Sequence, residues 1–323
     1  MDRRLVPVNA FIALAARGPS SWPSPFADAG YRLEGLEIPL HTQNGLVVVD
    51  AVAFNPALNR FIAAECKSGN NIENEQAVRY GMLDPAELVR STGVTITQPG
   101  DIEVQPCYVC LADTADRVEL GLSKASCPYP IVVVGDQDIT LRNSDALPEI
   151  IGIAESGLAV PGPPPATIRV DDESPDEDYD RVVGAAVMAH VARGDPMVST
   201  IDLAGDAVPH LPIYGAGHRR AIQKRVEQAA QRVCDRSPEN FEYRGRTSVR
   251  DHGLVTIVDS PERSDPRGRT QRYQAIAGRL GGQVLPSRAE FEQPGLFDDV
   301  DLDAELAKLE STNTAEAGEE EDE

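Results

Sequence analysis

Lysine is scarce in this chain: four of the 30 basic residues are lysines, Lys67, Lys124, Lys224 and Lys308, and the rest are arginine. Aromatic residues make up 5%, with a single Trp. No apolar run approaches the ~20 residues of a membrane span. The apolar stretch over 8–16 is too short, and no small-residue cleavage site follows it. A membrane protein is therefore excluded, a secreted one is disfavoured, and the expected compartment is the cytoplasm. The five cysteines, Cys66, Cys107, Cys110, Cys127 and Cys234, are odd in number and scattered, which is no disulfide framework. Cys107 and Cys110 have C-x-x-C spacing but fall in a predicted strand, where residues three apart face opposite sides. No second Cys or His pair sits at finger spacing, so they read as buried structural thiols rather than a zinc site.

What is abundant is acid. Fifty-two Asp and Glu against 30 Lys and Arg give a net charge of -22. Acid excess with scarce Lys and abundant Arg and Ala resembles the proteins of salt-loving archaea. There the Debye length falls to about 3 Å at 1 M salt, so a hydrated carboxylate surface stays dispersed without self-repulsion. The alternative is a GC-rich bacterial chain with acidic tails. The charge is uneven: residues 298–323 hold twelve acids and one Lys, and residues 171–180 hold seven acids. An average over such segments hides local basic surface.

With 323 residues, two domains are expected at roughly 100–200 residues each. Residues 5–17 predict a helix. Residues 31–40 and 46–54 predict two strands joined by Gln43-Asn44-Gly45, a hairpin turn. Residues 55–59 form a second turn and 60–67 a third strand. Residues 72–89 read as helix, interrupted near Asp84-Pro85. Residues 107–111 and 131–134 are buried strands, and 147–154 a closing helix. The result is an α/β domain over 1–158. Residues 159–177, with PGPPP and an acidic run, read as an extended linker. A second domain over 178–285 predicts helices at 179–193, 199–208 and 216–234, then strands at 241–250, 253–259 and 271–278. Residues 286–323 are an acidic tail.

The candidate chemistry lies at Asp50, Glu65, Cys66 and Lys67. Asp50 ends the run Val47-Val48-Val49, and Glu65 and Lys67 end Phe61-Ile62-Ala63-Ala64. Positions two apart on a strand share a face, so Glu65 and Lys67 project together. A hairpin through 55–59 brings Asp50 alongside them. Hard carboxylate oxygens suit Mg²⁺, or Mn²⁺, and such a cation acidifies a bound water and stabilises charge at phosphorus. The Lys67 ammonium orients that water or neutralises the phosphate, and eases the grouping of carboxylates.

This ordered set resembles the PD-(D/E)XK nuclease superfamily. The resemblance covers residues 30–135. It implies a restriction-endonuclease-like mixed sheet flanked by helices, Asp50 and Glu65 as metal ligands, the Cys66 carbonyl as a further one, and Lys67 as a catalytic residue. Gln76-Ala-Val-Arg-Tyr80 resembles the Q-x-x-x-Y motif of the RecB-like and archaeal resolvase-like branches. There Gln76 and Tyr80, four apart on one helix face, would support the site or contact DNA. Many members carry an acid on the first helix. Residues 5–17 offer none, and Glu34 or Glu37 is the candidate substitute. An E-x-K pair alone is usually surface charge; the ordered set distinguishes it here. His41 reads as a strand-surface residue.

In the second domain, residues 216–234 carry Arg219, Arg220, Lys224, Arg225 and Arg232 off an apolar stripe of Ile222, Val226, Ala229, Ala230 and Val233. The strands beyond carry Arg244, Arg246 and Arg250, and a loop over 260–270 carries Arg263, Arg267 and Arg269. Three helices and a strand pair with an Arg-rich tip resemble a winged helix-turn-helix, which implies DNA binding through the third helix and the wing. The alternatives are a protein-interaction winged helix, or a basic face neutralised by the acidic linker. Residues 293–297 faintly resemble a sliding-clamp peptide, but Asp299 and Val300 replace its paired aromatics. The expectation is a metal-dependent DNA nuclease; the alternative is an inactive nuclease-like DNA-binding regulator or scaffold. DNA is the expected partner. A homodimer, and a protein partner through the winged helix or the acidic tail, stay open.

Overall fold

A computed structural model describes residues 2–18, 21–69, 73–97, 100–150, 157–246, 252–262 and 264–280. The acidic tail, Arg250 and Arg263 lie outside them. The chain is α/β, built on a seven-stranded mixed sheet flanked by helices. Helix α1 (Val6–Ala15) is apolar all round and buried from Asn9 onward, the pattern of a helix enclosed by its fold. A one-turn α2 (Pro25–Asp28) leads to strands β1 (Arg32–Thr42), β2 (Gly45–Asn55) and β3 (Arg60–Lys67). These pair as an antiparallel meander. The first turn is closed by Thr42, whose hydroxyl donates to the Gly45 carbonyl and accepts from the Asn44 N–H.

The expected helix after β3 is two helices, α3 (Asn74–Tyr80) and α4 (Pro85–Thr92). The break falls where expected, because Asp84 accepts from the Ala86 N–H and starts a new helix at Pro85. They carry the chain to β4 (Glu103–Leu111), parallel to β3. Helix α5 (Ala115–Lys124) then crosses to β5 (Ile131–Val134), parallel to β4, and β6 (Asp138–Arg142) and β7 (Leu158–Ala159) complete the sheet antiparallel. Neither α5 nor β6 is evident from the sequence pattern. The closing helix expected over 147–154 is a 3₁₀ turn at Pro148–Ile150, and 151–156 lie outside the described residues. Cys107 and Cys110 pack into different apolar clusters on the two faces of β4. Every cysteine is free.

The expected linker is a packed segment. Ile168 and Val170 are buried in the same apolar cluster as α1. Asn9 clamps Ile168, donating to its carbonyl at 2.8 Å and accepting from its N–H at 2.7 Å. Arg4 pairs with Asp171 and Glu173. Two apolar residues among prolines and acids are enough to seat the chain once a partner surface exists. The rest of the acidic run opens helix α6 (Asp176–Arg193), where three acids in the first turn complement the helix dipole.

Beyond α6 come β8 (Met197–Ser199), α7 (Thr200–Ala207), α8 (Ala216–Arg236), β9 (Phe241–Arg244) and β10 (Leu254–Ile257), with an antiparallel sheet ordered β8-β10-β9. The last predicted strand, 271–278, is instead part of helix α9 (Pro266–Leu280). Asp265 caps it by accepting from the Gly268 N–H, and Pro266 fits its first turn. The loop expected to be a wing tip is therefore partly helical. One apolar cluster runs from Leu5 through the sheet to Ile276, so no boundary near 158–178 divides the core. Among the described residues no helix is long and apolar enough to cross a membrane.

Candidate active site

Strand register assembles the site. Ala51 pairs with Ala64, the pair next to Asp50 and Glu65 on the two antiparallel strands. On the other side, Leu36–Ala51 and Ile38–Val49 are consecutive pairs, and Glu37 and Asp50 lie between them. Glu37, Asp50 and Glu65 thus stand on three adjacent strands. Glu37 adopts the left-handed conformation, with φ 49°, uncommon outside glycine and asparagine. Of the two acids considered as substitutes, Glu37 lines the cavity around Asp50, and Glu34 does not.

The E-x-K strand and the Q-x-x-x-Y helix converge on Glu65. Its Oε1 lies 2.5 Å from Lys67 Nζ and accepts from Gln76 Nε2 at 2.9 Å. Its Oε2 accepts from Tyr80 Oη at 2.5 Å. Lys67 also donates to Gln76 Oε1 at 3.1 Å. Gln76 and Tyr80, one turn apart on α3, reach one carboxylate with both side chains. The Cys66 N–H donates to Asp50 Oδ2 at 2.6 Å. Glu65 is 3% exposed, while Asp50 keeps part of its surface on the cavity.

Electrostatics mark the place as strained for anions. Burial, then Glu65 and Glu37, hold the Asp50 carboxyl well above the usual carboxylate range, although the Cys66 N–H and Lys67 pull the other way. Burial, then Asp172 and Glu65, push Glu37 up to about 8. Burial and Glu65 raise the Tyr80 phenol, which stays a donor. Burial likewise raises the Cys66 thiol, so the thiol is inert and only its backbone is of interest.

The cavity, about 460 Å³, is lined by Glu37, Asp50, Glu65, Asp171, Asp172 and Glu173 against Arg4, Lys67 and His218. Asp171–Glu173 come from the expected linker, and Tyr214 and His218 come from the second region. Sequence reading missed all of them. Their chain separation from Asp50 leaves no local signal.

Among the described residues no three His, Cys, Asp or Glu side chains are grouped to hold a metal ion. The donor chemistry does fit a hard divalent cation: carboxylate oxygens predominate, and their charge exceeds that of the cations beside them.

The basic residues expected to bind DNA are divided. Arg220 and Lys224 are exposed, with no partner among the described residues. Arg219 donates to the Pro212 carbonyl at 3.0 Å. Arg225 is occupied: it donates to the Asp172 carbonyl and to Asp176, and stacks 4.2 Å over Tyr179. Arg232 pairs with Asp176 and Asp180, and Arg236 with Asp180. That flank of α8 is the face neutralised by the acidic segment. Arg267 is exposed in the first turn of α9. Arg269 turns inward and caps the end of α6, donating to the Ala192 and Arg193 carbonyls. His41 is exposed on β1. Compared with family models, curated proteins and solved structures, the chain matches none.

Proposed function

We propose that this chain is a divalent-cation-dependent nuclease that hydrolyses phosphodiester bonds of DNA. The observation that carries this reading is the convergence on Glu65: Lys67 on its own strand, and Gln76 and Tyr80 from α3, all bind one carboxylate beside Asp50. A chance surface E-x-K pair has no reason to bury its acid, or to meet both motif residues of the next helix. Asp50, Glu65 and the Cys66 carbonyl would hold Mg²⁺ or Mn²⁺. When bound, that cation supplies an acidified water and offsets charge developing at phosphorus. Tyr80 and Gln76 fix both oxygens of Glu65, and Lys67 meets the phosphate or the attacking water. The order α1, β1–β3, α3, β4 supports the PD-(D/E)XK reading.

The order helix, strand, helix, helix, strand, strand from α6 to β10, with sheet order β8-β10-β9, supports a winged-helix reading of the second region. Arg220 and Lys224 are its available phosphate contacts. Replacing both with Ala is expected to weaken DNA binding across sequences. The slope of log affinity against log salt should become shallower by about 2, one unit per lost phosphate contact. Fluorescence anisotropy over a KCl series checks this.

A second reading, a DNA-binding scaffold without turnover, draws on one observation. Asp171, Asp172 and Glu173 face the cavity where an anionic backbone would enter. Incubation with linear, nicked, branched and single-stranded DNA in high KCl, with Mg²⁺, Mn²⁺ or chelator, separates the two. Cutting that the chelator abolishes is the expected result; binding without cutting under every condition favours the scaffold.

A further inference from the structure

The start of α8 is locked onto the strand that carries Glu37. The Gly215 N–H donates to the Leu36 carbonyl at 2.8 Å, and Tyr214 forms a parallel bridge with Leu36. A Cβ at position 215 would lie 2.2 Å from the Glu37 carbonyl oxygen, so glycine is required for this approach. His218 follows in the first turn of α8 and lines the same cavity as Asp50, Glu65 and Lys67. Its Nε2 lies 3.8 Å from Glu37 on β1 and 3.6 Å from Asp172 on the segment before α6. The side chain is 26% exposed and open to the cavity. Among the described residues it supplies the only imidazole lining that cavity.

Hydrolysis of a phosphodiester leaves one need unmet by Asp50, Glu65 and Lys67: a proton for the departing sugar oxygen. Imidazole is the side chain suited to give and regain a proton near neutral pH. We propose that His218 is a catalytic residue, the general acid that the second region contributes to the nuclease cavity. This rests on the nuclease reading. The oxygen of water bonds to phosphorus while the bond from phosphorus to the leaving sugar oxygen breaks. The leaving oxygen takes the proton from the His218 ring. The attacking water loses a proton to solvent, and the ring regains one from solvent. A phosphodiester and a water become a phosphomonoester and an alcohol. The ionisable groups facing the ring are Glu37 and Asp172, with Arg4, Lys67, Asp171 and Glu173 on the same wall.

The test compares wild type, His218→Gln and His218→Asn on a duplex that wild type cuts. The same duplex is also made with sulfur in place of the bridging oxygen that leaves. A thiolate departs without an acid. Both variants should cut the oxygen substrate about 10²–10⁴-fold more slowly. They should bind it as tightly as wild type and cut the sulfur substrate at close to the wild-type rate. An undiminished rate on oxygen, equal losses on oxygen and sulfur, or loss of binding along with cutting would each overturn the general-acid role alone. Absence of cutting by wild type would overturn the nuclease reading and this inference with it.

Discussion

Lys67→Ala and Asp50→Asn are each expected to slow metal-dependent DNA cutting by at least about 10²–10³-fold, the usual cost of losing one preorganised charge at the reacting centre. DNA affinity should be unchanged in Asp50→Asn, which lies away from Arg220 and Lys224 on α8, and slightly weaker in Lys67→Ala, which loses a cation that meets the phosphate. Their effects on stability should have opposite signs. Lys67 compensates a Glu65 that is 3% exposed, so its loss leaves that acid to Gln76 and Tyr80 alone and should lower the melting temperature. Asp50 is crowded by Glu65 and Glu37, and burial already disfavours its charge. An isosteric amide removes that repulsion and keeps an oxygen for the Cys66 N–H. Asp50→Asn should therefore melt higher than wild type in metal-free buffer while being inactive. Thermal melts beside single-turnover cleavage check both. An Asp50→Asn protein that melts lower, or that still cuts, contradicts this account of the site.

The largest stability effect away from the cavity is expected at Asp180. Its side chain is 3% exposed and accepts from both Arg232 and Arg236, which tie α8 to α6. Breaking a buried ion pair costs about 3–5 kcal/mol when a charge is stranded. Here the Arg232 and Arg236 side chains are 30% and 48% exposed and can rehydrate, which lowers the cost. Asp180→Ala should lose roughly 2 kcal/mol after that discount for solvent screening. A fall in the urea midpoint with an unchanged slope measures it. If the midpoint does not move, the pair is surface decoration and α8 is held by its apolar stripe alone.

Local rules carried the reading where the needed information was local. The Gln43-Asn44-Gly45 turn, the apolar strands ending in Asp50 and in Glu65-Cys66-Lys67, and the Asp84-Pro85 break each sit within a few residues of their consequence. So does the Gln76–Tyr80 spacing, which alone puts both side chains on one face. The misses share another cause. Ile168 and Val170 are two apolar residues in a Pro- and acid-rich stretch, and composition hides them until α1 provides a surface. The 271–278 segment has enough β-favouring residues to read as strand, but the Asp265 cap and Pro266 decide for helix. Arg225 and Arg269 look like phosphate contacts in sequence, yet Asp172, Asp176 and the end of α6 occupy them. Tyr214 and His218 reach the cavity only because Gly215 lets two distant segments touch, and no periodicity encodes that contact.

The central claim is that Asp50 and Glu65 form a cation site. Titration calorimetry of Mn²⁺ into wild type and into Asp50→Asn, in high KCl and without nucleic acid, tests it most directly. The account predicts saturable binding to wild type that is lost in the variant. Equal binding to both proteins, or none to either, would contradict it.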